Sequence, residues 1–242
     1  MNKTSIKGSL LATALLATQP VFALPTLQLD ALGGYYDSSS EDSVSSASTF
    51  NLRALLCDQS SNGDCRNITP DTYTGYYVSI AVERDDGTSV GGNTNFGSFS
   101  FAGTTFNSGN TFYGIPPQGP EDDLARHGVY PTAFGQFGFS FDPNQSMGGY
   151  DVVDCAPELN AGCNTTGSVF YRDFAVNLAG LLDGFDLHFD LYHVNASGDI
   201  DRFAPFSHDA STTTQVPEPG SLMLLTAGLL GLVATRRFTA RS

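Results

Sequence analysis

The sequence has no lysine between Leu24 and Gln215, no tryptophan anywhere and only four histidines. Without lysine, this segment cannot form a Walker-type phosphate loop or a Schiff base, and it has no lysine general base. Cations of any kind are scarce, because six arginines stand against 24 acidic residues, a formal charge of −18. A surface this negative repels phosphate backbones, so nucleic-acid binding is not expected.

Motifs that mark common catalytic sites are missing as well. The sequence has no G-x-S-x-G elbow, no H-E-x-x-H helix and no EF-hand loop. Ser207, His208 and Asp209 are consecutive, and we predict no triad there, because a triad needs side chains that converge from separate segments. We therefore predict a protein that is not an enzyme. Two alternatives stay open: a secreted carbohydrate-active hydrolase that uses a carboxylate pair, and a purely structural surface component.

Residues 1–23 have the pattern of a secretory signal peptide. Lys3 and Lys7 supply the positive start, and an apolar stretch follows from Leu10 to Ala17. Small residues at the cleavage positions predict cleavage after Ala23. The apolar stretch is too short to span a bilayer, which argues against an uncleaved anchor.

Residues 216–242 have a second targeting pattern. A short motif, Val216, Pro217, Glu218 and Pro219, precedes an apolar run from Leu222 to Thr235, and Arg236 and Arg237 follow it. The run predicts a short hydrophobic helix of about 21 Å, less than the ~30 Å hydrocarbon core of a bilayer. The arginine pair would hold that end in the cytoplasm and leave the acidic domain outside. A sorting signal is favoured over a permanent single-pass transmembrane anchor.

The motif VPEPGS, the short apolar helix and the arginine pair together resemble the PEP-CTERM sorting signal of Gram-negative bacteria. That resemblance implies export, transient passage through the inner membrane and periplasm, and processing by an exosortase near Pro217–Pro219. It also implies a final location at the cell surface, outer membrane or extracellular matrix, often alongside exopolysaccharide production.

The intervening residues, 24–215, are expected to form one all-β, β-sandwich-like ectodomain, with a jelly-roll or cohesin-like topology. Apolar and polar residues alternate with period two, and Gly, Asn and Asp turn signals separate the runs. Nothing in this segment keeps a helical period for three turns. Residues 38–49, rich in serine, are expected to form a mobile loop, and residues 91–114 a hairpin or a loop over the core. The apolar positions of the runs are Leu27, Leu29, Ala31; Phe50, Leu52, Ala54, Leu56; Tyr76, Val78, Ile80, Val82; Phe137, Phe139, Phe141; Phe174, Val176, Leu178; and Leu187, Phe189, Leu191.

The four cysteines, Cys57, Cys65, Cys155 and Cys163, fall into two pairs with seven residues between the members. In an exported protein they predict two disulfides rather than a zinc site. Three connectivities are open, and pairing within each short loop is the simplest.

Polar residues concentrate near the end of the ectodomain. If residues 186–192 form a strand, Leu187, Phe189 and Leu191 face the core, and Asp186, His188, Asp190 and Tyr192 line the opposite face. With the carboxylates of Asp199 and Asp201, this face could bind Ca²⁺, and a transition-metal ion is a less favoured alternative. The simpler alternative, which we favour, is the solvated outer face of an edge strand, whose charges prevent edge-to-edge pairing.

Three further strings, LPTLQLDALGGYY, HGVYPTAFGQFGFSF and LHFDLY with APFSHDA, resemble bacterial surface proteins called choice-of-anchor N. The resemblance implies a β-rich surface ectodomain and carries over no catalytic residue. Together with the acidity, it favours a non-enzymatic role in adhesion or the exopolysaccharide matrix. Divalent cations such as Ca²⁺ would then link the carboxylates to anionic polysaccharide.

Overall fold

The computed structural model describes residues 27–57, 72–118, 124, 128–153, 155–156 and 168–213. The predicted signal peptide with its cleavage site at Ala23, the sorting motif with Arg236 and Arg237, and the predicted short helix lie outside these residues. Among the residues that are described, no helix is long and apolar enough to cross a membrane.

In the part of the chain that the structure describes, fourteen strands form two sheets, and the chain passes repeatedly from one sheet to the other. The first sheet contains β1 (Leu27–Leu32), β4 (Thr49–Leu56), β6 (Ser98–Phe101), β7 (Thr104–Asn107), β10 (Ser146–Gly148) and β11 (Ser168–Asn177). The second contains β2 (Tyr35–Asp37), β3 (Asp42–Ser45), β5 (Tyr76–Arg84), β8 (Phe112–Gly114), β9 (Thr132–Phe139), β12 (Phe185–Val194), β13 (Ile200–Phe203) and β14 (Asp209–Thr212). The predicted all-β, β-sandwich-like class is confirmed, and the jelly-roll or cohesin-like topology stays a prediction.

The main core lies between the inner faces of the two sheets. The period-two runs supply it, since side chains at every second position of a strand point to the same face. Phe101 of β6 is fully buried and packs against Phe174 of β11 at 5.1 Å between ring centroids and against Phe189 of β12 at 6.2 Å. Other members include Leu27, Leu29, Leu52, Leu56, Tyr76, Val78, Ile80, Val82, Phe139, Val176, Leu187 and Leu191.

The outer face of the second sheet is also buried, which the sequence analysis did not predict. A second apolar cluster covers it, formed by Ala81, Ile115, Leu124, Val129, Tyr130, Phe134 and Tyr192. Its members come from β5, β9, β12 and the segment between β8 and β9. Strand β12 is accordingly an interior strand, paired with β5 on one side and with β13 and β14 on the other. The favoured alternative of a solvated edge strand is therefore wrong.

The serine-rich segment expected to be a mobile loop contains β3, and all four β3 residues are buried. This strand lies between β2 and β14 and runs parallel to β14. Serine side chains are small enough to pack there, and the Ser43 hydroxyl accepts a hydrogen bond of 2.9 Å from the Ala31 amide. Composition alone could not predict this strand, because its partner lies 167 residues further along the chain (Asp42 to Asp209).

The glycine- and phenylalanine-rich segment, residues 91–114, contains a hairpin, which is one of the two forms expected for it. Strands β6 and β7 make an antiparallel hairpin, and Phe96, Phe99 and Phe106 are buried beneath it. A tight turn follows β5, with the Gly87 amide donating to the Arg84 carbonyl over 2.8 Å.

Candidate metal centre

Strand β12 presents Asp186, His188 and Asp190 on the outer face of the second sheet, as the sequence analysis predicted. Their alternation with Leu187 and Phe189, which face the main core, fixes this direction. The covering cluster leaves all three polar side chains buried, with 7%, 5% and 3% of their surface exposed. Charged groups in such a place need partners, because burial without compensation is costly.

Strand pairing brings further carboxylates to this face. His188 pairs with Ser211 and Phe189 with Ala210, so the same antiparallel register places Asp190 opposite Asp209. Asp209 in turn pairs with Asp42 across the parallel ladder. Three carboxylates therefore occupy one row over three adjacent strands, an arrangement in which like charges destabilise the sheet unless something neutralises them.

His188 lies among these carboxylates. Its Nε2 atom is 3.5 Å from Asp190 Oδ1 and 3.9 Å from Asp209 Oδ2, and its Nδ1 atom is 3.9 Å from Asp42 Oδ2. One ligand atom each from His188, Asp190 and Asp209 can be chosen so that all three lie within 4.8 Å of one another. Among the residues that the structure describes, this is the one group of three or more His, Cys, Asp or Glu side chains that could hold a metal ion.

The two carboxylates of this group differ in their hydrogen bonding. Asp190 accepts a short hydrogen bond from the Tyr130 hydroxyl, which lies 2.7 Å from the Ser79 hydroxyl. Asp209 is 1% exposed, and neither of its carboxylate oxygens has a hydrogen-bond partner. A buried carboxylate with both oxygens unsatisfied is rare and calls for a physical explanation.

The charges of the row shift the pKa values of its members. Burial raises the pKa of Asp209 well above its ordinary value, and the charge of Asp190 adds to this, while His188 opposes it. Burial lowers the pKa of His188, but the charge and hydrogen bond of Asp190, with Asp209 and Asp42, raise it to about 10 overall. Burial also raises the pKa of the neighbouring Glu83. Burial is thus the largest influence on all three pKa values, and the neighbouring carboxylates outweigh it only at His188.

A pocket of about 380 Å³ connects this row with solvent. Asp42, Glu83, His188 and Asp209 line it, together with Ser40, Gly87, Gly128, Val129 and Phe206. Among the described residues that line the pocket, the polar side chains are acidic or imidazole, apart from one serine. The pocket gives a small cation a route from solvent to His188 and Asp209.

The other predicted calcium ligands lie elsewhere. Asp199 and Asp201 are exposed in the turn after β12 and in β13, and Asp201 forms a short contact with the Nδ1 atom of His193. Asp186 shares the face of His188 and lies opposite Glu83 of β5. The structure therefore brings together His188 and Asp190 from the predicted set and adds Asp209, which the sequence analysis considered only as part of a triad.

Ser207 and His208 form a hydrogen-bond chain with the carboxylate of Asp151, and Asp209 is not part of it. The Ser207 hydroxyl lies 2.8 Å from His208 Nδ1, and His208 Nε2 lies 3.3 Å from Asp151 Oδ2. The hydroxyl and the imidazole come from one 3-10 turn, Phe206–His208, and Asp151 comes from a distant segment. Asp209 takes no part in this hydrogen-bond chain and lies beside His188 instead.

Removal of the Tyr130 hydroxyl tests how much its hydrogen bond to Asp190 contributes to the stability of the fold. Tyr130→Phe is expected to lower the free energy of unfolding by about 1–3 kcal/mol, because Asp190 would lose a buried donor. Urea denaturation measures the change. Tyr113→Phe is the control, since 59% of Tyr113 is exposed and its change should stay within about 0.5 kcal/mol. Equal effects for both variants would contradict a structural role for the buried hydroxyl.

Two of the four cysteines are described. Cys57 and Cys155 are disulfide-bonded, and no described cysteine is a free thiol. Cys65 and Cys163 lie outside the described residues, so no bridge is described as a pair, and local pairing stays a prediction. Because Cys57 and Cys155 are disulfide-bonded, neither provides a thiolate that could bind a metal ion.

Comparison with known families identifies one segment of the chain. Residues 215–237 match the PEP-CTERM protein-sorting motif. The chain carries a PEP-CTERM signal. This confirms the resemblance drawn from VPEPGS and the arginine pair, and it indicates an exported, cell-surface-directed protein that an exosortase sorts. No curated protein and no solved structure matches the chain, and the resemblance to choice-of-anchor N proteins stays a prediction.

Proposed function

We propose that this PEP-CTERM protein is a non-enzymatic component of the cell surface or extracellular matrix. The observation that carries the proposal is the combination of the sorting motif with an ectodomain whose exposed ionisable groups are overwhelmingly acidic. Its β-sandwich-like architecture and the resemblance to choice-of-anchor N proteins agree with this role. The exosortase would be its processing partner, and the inner membrane a transient one.

Its ligand, in this proposal, is anionic polysaccharide, held through divalent cations such as Ca²⁺. Carboxylates repel an anionic polymer unless a cation lies between them, and Ca²⁺ accepts oxygen ligands from both sides. Exposed acids near the two ends of β12 are suited to such contacts: Asp85, Asp86 and Asp183 at one end and Asp199 and Asp201 at the other. Their exposure lets a polymer approach them, whereas the buried carboxylates beside His188 cannot contact a polymer directly.

Co-sedimentation of the exported protein with alginate tests this proposal. We expect binding with Ca²⁺ present, and at least about tenfold weaker binding with Na⁺ at the same ionic strength, because monovalent ions do not join two carboxylates. Asp199→Asn with Asp201→Asn should weaken the Ca²⁺-dependent binding. Asp142→Asn, an exposed acid on a different turn, is the matched control.

Two outcomes would contradict the proposal. Binding that is equal in Ca²⁺ and Na⁺ would show that cations do not mediate it. Hydrolysis of a polysaccharide or ester that is lost in Asp190→Asn or Ser207→Ala would favour a hydrolase instead. The second variant covers the hydrogen-bond chain from Ser207 through His208 to Asp151.

A further inference from the structure

The carboxylate of Asp209 needs a partner that the described protein groups do not provide. Both its oxygens are buried without a hydrogen bond, and Asp190 and Asp42 approach it from the two neighbouring strands. Buried carboxylates are retained in proteins when they are paired with a cation or coordinate a metal. The nearest cationic group that the structure describes is the His188 imidazole, 3.9 Å away, which it shares with Asp190 and Asp42.

Asp209 is the member of the row whose buried oxygens lack a hydrogen bond. A divalent cation beside it would give both oxygens a partner and would offset the negative charge that Asp42 and Asp190 bring to the same row.

The spacing of the ligand atoms agrees with such an ion. In a tetrahedral site with bonds of 2.0–2.1 Å, ligand atoms lie roughly 3.4 Å apart. His188 Nε2 is 3.5 Å from Asp190 Oδ1 and 3.9 Å from Asp209 Oδ2, and one ligand atom from each residue lies within 4.8 Å of the other two. Rotation of the side chains would bring these atoms to the spacing of a metal site. The pocket beside His188 and Asp209 leaves the remaining coordination positions accessible to water.

The surroundings of His188 also match those of a metal ligand. Histidines that bind zinc through one ring nitrogen commonly face a carboxylate with the other nitrogen, which fixes the ring. Asp42 occupies that place, with Oδ2 3.9 Å from His188 Nδ1. An imidazole ligand argues against Ca²⁺ and Mg²⁺, which prefer oxygen, and in favour of the metals that accept nitrogen and oxygen together.

We propose that His188, Asp190 and Asp209 bind one divalent transition-metal ion, best matched by Zn²⁺, with Asp42 as the positioning residue of His188. This site is separate from the surface contacts proposed for Ca²⁺ and polysaccharide, because it is buried and uses an imidazole. The ion would join β12 to β14, and through Asp42 it would also fix β3. Binding would stabilise the folded protein, since the ligands come together only in the native state.

Metal titration of the exported protein, with its disulfides intact, tests the site. After dialysis against EDTA and removal of the chelator, calorimetry should give one Zn²⁺ per chain. We expect the melting temperature to rise with Zn²⁺, and Ca²⁺ to bind on the order of 100-fold more weakly. No polysaccharide is present, so the outcome is independent of the proposed matrix role.

Asp209→Asn separates loss of a ligand from loss of the fold. The variant removes one of three mutually repelling carboxylates, so its metal-free form should melt at the same temperature as the parent protein or higher. Its affinity for Zn²⁺ should fall at least about tenfold, and the stabilisation by Zn²⁺ should disappear. Asp183→Asn is the matched control, because Asp183 is exposed and lies outside the group, and it should bind Zn²⁺ as the parent does.

Three results would overturn the proposal. The first is the absence of a stoichiometric Zn²⁺ site in the EDTA-treated parent protein. The second is equal Zn²⁺ binding by the parent and Asp209→Asn, which would place the ion elsewhere on the chain. The third is Ca²⁺ binding as tight as that of Zn²⁺ at the same residues, which would refute the assigned metal class.

Discussion

Replacement of Phe189 by alanine is expected to lower the free energy of unfolding by about 3–5 kcal/mol. Phe189 is fully buried, and its ring lies 6.2 Å from those of Phe50 and Phe101, at the centre of the contact between the two sheets. The substitution would leave a cavity that neighbouring strands cannot close, because each is fixed by ladders on both sides.

Chemical denaturation with the disulfides intact measures this change, and an unchanged m-value would show that the same surface unfolds. Phe203→Ala is the control, because Phe203 lies on β13 with 45% of its surface exposed, and its effect should stay within about 0.5 kcal/mol. Phe189 is also the residue between His188 and Asp190. A loss below about 1 kcal/mol in Phe189→Ala would contradict the packing that positions the metal ligands.

Gly97→Ala is expected to be nearly as damaging, at about 3 kcal/mol or more. Gly97 has a φ of +80°, and a Cβ atom there would lie 2.2 Å from the Gly180 carbonyl oxygen. That oxygen accepts a hydrogen bond of 2.7 Å from the Ser98 amide, and the Leu182 amide donates to the Phe96 carbonyl over 3.0 Å. A methyl group would push the two backbones apart and break these bonds.

Gly103→Ala isolates the steric part of this effect. Gly103 has a φ of +81°, almost the same as Gly97, but a Cβ atom there would meet nothing within 4 Å. The conformational cost alone is about 1–2 kcal/mol. The difference between the two variants, measured by denaturation under the same conditions, therefore reports the clash with Gly180. Similar losses in both would refute the close approach of the two segments.

The main core could be predicted from the sequence because its signal is local. The alternation at Leu187, Phe189 and Leu191 needs only the geometry of one strand, and it correctly placed His188 and Asp190 on the other face. This pattern does not show what packs against the outer face of the strand. The polar face predicted a solvated edge strand, whereas Tyr130 and the apolar residues near it cover the face.

The third proposed ligand could not be predicted for a related reason. Asp209 comes close to Asp190 because β14 and β12 pair in one register, and no short motif encodes that register. Judged from its neighbours along the chain, Asp209 belonged with Ser207 and His208. A search for acidic residues at matching positions of two antiparallel strands would have found the pair, had the pairing of β12 with β14 been known. The same dependence on long-range pairing explains why β3 was predicted to be a loop.

The position of β14 also determines how the domain would bear tension. This strand ends at Thr212, three residues before the matched sorting motif begins at residue 215, and the Thr213 amide still donates to the Ser45 carbonyl over 3.0 Å. Its neighbours are β3 on one side and β12 on the other. Hydrogen bonds between strands lie across the strand axis, so a pull along β14 from that end loads the bonds on both flanks at once instead of opening them one by one. A domain attached to a surface through this end is therefore held by a strand in shear, with two ladders sharing the force.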